Sequence, residues 1–239
     1  MELCLEGPKG WDWFDFEIGE PTEEWLARVE EITGSNNPYI TDTSYTENYE
    51  GLFDIDGYGY TTLLQVVKQC ELLSGLYPYE IEEIAAYKRV WGGDLEDAID
   101  SHGNHIYIQA DSGQDDLARA YIELCGDVSD ELLAQYFDYY ALGEGVSNEG
   151  YESDYEDDEF WEIGEDYVDQ VYGSVENYIQ STDRDVILDY YFDYDSYGRD
   201  LYHGFSYDEV SGVWISESAQ RLKTAEPLVE KLILRRDND

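Results

Sequence analysis

The sequence predicts an α+β fold, drawn out as an elongated chain of small domains: an antiparallel sheet plus helix, a helical middle, and an α+β C-terminal part with a highly acidic surface. Segments with the two-residue period of half-buried strands are interspersed with segments of helical period. The 239 residues carry 57 Asp and Glu against 13 Lys and Arg, a formal net charge of -44. Hydrophobic residues nevertheless make up 42% of the chain and 24 residues are tyrosine, which separates it from acidic disordered chains. Tyrosine reconciles the two properties, because its ring buries like Phe while its hydroxyl reaches the surface and donates to a carboxylate. Halophilic adaptation would supply the acid, but not the tyrosines or the clustering of acids in runs.

Residues 1–60 read as a small α+β domain. Trp11, Trp13, Phe14 and Phe16 form an aromatic strand, Pro21 opens a helix, and Trp25, Leu26, Val29 and Ile32 give that helix its apolar face. Gly34 to Pro38 ends the helix, and Tyr39 to Tyr60 reads as strands and turns, with Asp56-Gly57 as a turn signal. Residues 61–104 read as a helical middle domain. Leu63, Val66, Val67, Cys70 and Leu73 share one helical face, Pro78 starts a second helix carrying Ile81, Ile84 and Ala85, Gly92-Gly93 breaks it, and Leu95, Ala98 and Ile99 mark a third.

Residues 105–216 form an α+β C-terminal region. Ile106, Ile108 and Ala110 alternate as in a strand, and Leu117, Ala120, Tyr121 and Leu124 make one helical face. Ser129 caps a further helix with the apolar stripe Leu133, Tyr136, Phe137 and Tyr140. A partial copy follows 55 residues later: LLAQYFDYYALGEG (132–145) and ILDYYFDYDSYGRD (187–200) agree at six of fourteen positions. Between the copies lies the densest acid of the chain, EGYESDYEDDEFWEIGEDYVD (149–169). Phe205, Tyr207, Val213 and Ile215 read as a closing strand pair. Residues 217–239 read as a helical basic tail, with Pro227 starting a helix that carries Leu228, Val229, Leu232 and Ile233. Such a helix docks on its own domain or binds a partner.

Catalytic and metal-binding patterns are weak. Asp193, Asp195 and Gly198 match the start of a calcium loop, but Tyr197 and Gly204 occupy two of its ligand positions. His102 and His105 have no Cys or carboxylate at zinc-finger distance and read as ordinary surface histidines. There is no phosphate-binding glycine loop, nucleophile elbow or HExxH motif. With 57 carboxylates no acid/base pair stands out, so the reading is a non-enzyme without cofactor or metal. Cys4, Cys70 and Cys125 are widely spaced, which fits a reducing compartment, and no leader or apolar span is visible, so a cytoplasmic location in the host cell is expected, with no membrane partner.

The charge excludes direct nucleic-acid binding, because affinity for DNA comes from cations that neutralise phosphates. It suits a protein that occupies the DNA site of another protein. Duplex DNA carries one charge per about 1.7 Å, so 44 charges correspond to roughly 75 Å, about 22 base pairs. The alternatives are a mimic directed at another defence protein, such as a CRISPR effector, and an acidic module for a basic protein partner.

The pieces GWDWFDFE (10–17), LLQVVKQCELLSGLYPYEIEEI (63–84), HIYIQADSGQDDLARAYIELCGDV (105–128) and YYFDYDSYGRDL (190–201), in this order, resemble the ArdA-type antirestriction proteins. Within them DDLARAYIELCG (115–126) resembles the family's antirestriction segment, and YFDYDSYGRDL (191–201) its C-terminal signature. The resemblance implies a homodimer from a phage or other mobile element that imitates bent DNA and inhibits type I restriction-modification enzymes, in evasion of host defence. The acidic run and the tail are additions to the family pattern. The carboxylates expected to imitate phosphates are Asp115, Asp116, Glu123, Asp127, Asp130, Glu131 and Asp138 in the first copy, Glu152, Asp154, Glu156, Asp157, Asp158, Glu159 and Glu162 in the acidic run, and Asp193, Asp195 and Asp200 in the second copy.

Overall fold

The computed structural model describes residues 1–18, 22–45, 49–56, 59–126, 128–151 and 159–217. Pro21, Gly57 and the basic tail lie outside the described residues. The fold is α+β, with eleven helices and two small three-stranded antiparallel sheets among the described residues. It divides into two compact units, one of Met1–Gln109 with the strands from Ser206 onward, the other of Ala110–Phe205.

In the first unit, β1 (Glu2–Gly7) lies between β2 (Gly10–Asp15) and β3 (Tyr39–Ser44). Leu3 stands opposite Phe14 and Leu5 opposite Ile40, and all four are buried on one face, as the strand period requires. Helix α1 (Glu23–Thr33) contributes Val29 to this core. Its N-cap is Thr22, whose hydroxyl accepts from the Trp25 amide at 3.2 Å, and Gly34 ends it in the left-handed conformation at φ 73°.

The same cluster takes in Leu63, Val66 and Leu73 of α2 (Leu63–Leu73), Ile81 and Ile84 of α3 (Pro78–Trp91), and Leu95 and Ala98 of α4 (Leu95–His102). Residues 1–60 and 61–104 therefore share one apolar core. The second sheet has the order β4-β6-β5, from β4 (Tyr107–Gln109), β5 (Phe205–Asp208) and β6 (Val213–Ser216), and packs Val213 and Ile215 against Ala86 of α3. The ends of the region 105–216 thus fold with the first unit.

A buried ion pair ties α3 to β5. Arg89 donates from Nε to Asp208 Oδ1 at 2.9 Å and from Nη2 to Oδ2 at 2.7 Å, with side chains 11% and 4% exposed. Burial raises the Asp208 carboxyl, but hydrogen bonds from Arg89 and Ser211 outweigh it and hold the pKa below the ordinary value. Because the folded-state pKa is depressed, the pair's contribution is present above the unfolded value of about 3.9 and is lost as pH falls through the folded value. Replacing Arg89 with Met leaves a buried unpaired carboxylate and should cost about 3 kcal/mol at neutral pH. Urea denaturation at pH 7 and at about pH 2.5, below the unfolded value, tests this, with a smaller difference from wild type expected at the lower pH.

The second unit is helical. It contains α5 (Gln114–Cys125), α6 (Asp130–Gln135), α7 (Tyr139–Asn148), α8 (Phe160–Val171), α9 (Val175–Ser181), α10 (Arg184–Tyr190) and α11 (Tyr194–Tyr202). The stripe Leu133, Tyr136, Phe137, Tyr140 does not form one helix. The helix stops after Gln135 because Phe137 takes extended backbone to bridge Phe192, and Asp138 caps a new helix that exposes Tyr140. On α5 the buried side chains are Leu117, Ala118, Tyr121 and Ile122, one position round from the expected face, with Leu124 only partly buried.

Candidate functional site

Side chains set the positions of the expected carboxylates in three ways. Asp138 and Asp193 are helix N-caps: Asp138 accepts from the Ala141 amide and Asp193 from the Ser196 amide, each at 2.9 Å. Asp130 accepts from Arg184 at 2.6 Å and Asp200 from the Tyr136 hydroxyl at 2.6 Å. The remainder face water: Glu123, Glu131 and Asp195 on their helices and Glu159 just before α8 are exposed, and Asp115, Asp116 and Glu162 are partly exposed. Asp115 and Asp116 sit in the first turn of α5, and Glu162 in that of α8, where the helix dipole favours negative charge. Asp127, Glu152, Asp154, Glu156, Asp157 and Asp158 lie outside the described residues.

The structure adds carboxylates that the sequence pattern did not single out. Glu165 and Asp169 of α8 and Glu176 of α9 gather around Tyr139. Burial raises the Tyr139 phenol above its ordinary pKa, and the three charges push in the same direction. Their signal was available, since Ile163, Gly164 and Val168 are buried on α8 and leave Glu162, Glu165, Asp166 and Asp169 toward water. Among the described residues Asp208 is the only buried Asp or Glu.

The described cations are few and several are engaged within the protein. Lys88 pairs with Asp54 at 2.5 Å and Arg89 with Asp208, while Arg119 lies 3.9 Å above the ring centre of Tyr194. Tyrosine hydroxyls turn to carboxylates: besides Tyr136 to Asp200, Tyr151 donates to Asp166 at 2.9 Å.

The segment that starts like a calcium loop is helix α11, with Asp193 as its cap. No group of three or more His, Cys, Asp or Glu that could hold a metal occurs among the described residues. His102 is buried rather than at the surface, with Nε2 2.5 Å from Glu83 and its ring beside Tyr107, and His105 places Nδ1 2.6 Å from the Ser216 carbonyl. None of the three cysteines is in a disulfide, and burial pushes the Cys125 thiol up to about 11, away from nucleophilic reactivity. No described helix is long and apolar enough to cross a membrane. No family model, curated protein or solved structure matches the chain.

Proposed function

We propose that this protein is a non-catalytic DNA mimic, an acidic body that occupies the DNA-binding site of a type I restriction-modification enzyme and so blocks restriction. The observation that carries this reading is the outward placement of charge. A chain of net charge -44 buries one carboxylate among its described residues, sets its acids along the wet faces of successive helices, and draws several of its few cations into internal pairs. Such a surface offers a DNA-binding protein the Lys and Arg contacts that phosphates offer, and it steers the encounter electrostatically. The resemblance to ArdA-type proteins points to type I restriction enzymes as the target.

Binding spread over many exposed charges loses little at any one of them, because an exposed ion pair contributes only about 0–1 kcal/mol. Asp116→Asn should therefore leave inhibition of a type I enzyme within a few-fold of wild type. The combination Asp116→Asn, Glu123→Gln, Glu131→Gln, Glu162→Gln and Asp195→Asn should weaken it by orders of magnitude while the far-ultraviolet spectrum is unchanged. Full inhibition by the folded five-site variant would remove these helices from the interface.

A further inference from the structure

The partial repeat closes on itself within the second unit. The two YFD segments lie antiparallel: Asp138 N donates to Tyr191 O and Asp193 N donates to Tyr136 O, both at 2.8 Å, with Phe137 opposite Phe192. Exchanging each residue for its counterpart 55 positions away turns one of these bonds into the other.

The same exchange relates the surroundings. Ring centres of Tyr136 and Phe192 are 6.0 Å apart and those of Tyr191 and Phe137 6.2 Å, while Phe137–Tyr139 and Phe192–Tyr194 are 5.0 and 4.9 Å. A Cβ on Gly143 of α7 would lie 1.7 Å from the Phe160 carbonyl oxygen at the start of α8. A Cβ on Gly198 of α11, its counterpart, would lie 2.0 Å from the Gln114 carbonyl oxygen at the start of α5. The first helices correspond too, with Leu117, Ala118, Tyr121 and Ile122 matching Ile163, Gly164, Tyr167 and Val168. Each copy thus lays its last helix on a first helix, α7 on α8 and α11 on α5, with α9 an addition to the second copy.

An interface in which residue i meets j while the counterpart of i meets the counterpart of j is the isologous interface of a two-fold dimer. We propose that the second unit is such a dimer folded within one chain: each copy is the docking partner of the other, so the seam is filled from within and a second chain must bind elsewhere. If the mimic reading also holds, the matched acids Asp116 and Glu162, and Glu123 and Asp169, present two-fold-related charge from a single chain to a partner with paired cationic half-sites.

The hydrogen bonds flank the Phe137–Phe192 pair, which makes it a non-hydrogen-bonded pair with Cα atoms about 4.5 Å apart, within disulfide reach. The test compares full-length Phe137→Cys, Phe192→Cys and the double variant after mild oxidation, with wild type as background for the native cysteines. The expected result is a disulfide between positions 137 and 192 inside one chain in the double variant, found by peptide mass mapping, and no interchain bond at either site in the single variants. A chain-to-chain bond through either introduced thiol, or no bond between the two positions in a folded double variant, would overturn the proposal. Should the variants not fold, an isotope-filtered NOE experiment on a mixture of labelled and unlabelled wild-type chains decides: Phe137–Phe192 contacts only within a chain support it, and contacts between chains reject it. Neither measurement depends on what the protein binds.

Discussion

Gly198→Ala and Gly143→Ala are each expected to destabilise the second unit by about 3 kcal/mol, at the top of the range for overpacked sites. The added Cβ would meet backbone, not a side chain that could rotate away: the Gln114 carbonyl group at 2.0–2.4 Å for Gly198, and the Phe160 carbonyl group at 1.7–2.7 Å for Gly143. Relief requires α11 to separate from α5, or α7 from α8. Gly103 has helical backbone at φ -67° and open space around its Cβ position, so Gly103→Ala is the control and should stay within about 0.5 kcal/mol. Denaturant unfolding followed through Trp161, the tryptophan of the second unit, reads the two packed sites, and helical circular dichroism reads all three. Equal stability of Gly198→Ala and Gly103→Ala would contradict the close helix packing.

The second large effect is expected at alkaline pH. Burial raises the phenols of Tyr121, Tyr136, Tyr178 and Tyr197, with nearby Cys125 adding to it for Tyr121 and Tyr197, and the hydrogen bond to Asp200 for Tyr136. Tyr136 and Tyr178 are pushed up to about 12, and the other two also rise well above the ordinary value of 10.0. A raised folded-state pKa contributes stability that is fully present below the unfolded value and disappears as pH rises toward the folded one. Stability of the second unit should therefore be insensitive to these groups up to about pH 9 and fall steeply from about pH 10 to 12. Phenolate absorbance and helical circular dichroism measured together test this. The expected record is a set of tyrosines that ionise only as helix is lost, and a single titration near the ordinary phenol value with the helices intact would refute it.

What could be read from the sequence was local. The faces of α1 to α4 and the β5–β6 pair follow from spacing, and the start and end of α3 from Pro78 and Gly92, because neighbours along the chain decide them. β1 carries only Leu3 and Leu5 in alternation, a weaker signal than the aromatic strand beside it. The break at Tyr136 to Asp138 was invisible, since Tyr-Phe continues an apolar stripe and only the partner segment 55 residues on pulls Phe137 into extended backbone. β4 and β6 likewise pair across a long stretch of chain, Tyr107 with Ile215, so the ends of the region 105–216 could not be assigned to the first unit from their own sequence. For the candidate site, helical period separated wet faces from core faces. It did not reveal which acids serve as caps or ion-pair partners, because those roles depend on Ser196, Arg184 and Tyr136 arriving from elsewhere in the fold or from the next turn.

The central claim is that this acidic body takes the place of DNA. It is tested most directly by titrating the protein into a type I methyltransferase core bound to labelled cognate duplex, at two salt concentrations. The account predicts release of the duplex at near-stoichiometric protein, with displacement weakened at the higher salt as the carboxylate contacts are screened. A duplex that stays bound at a large excess of protein at low salt would contradict it.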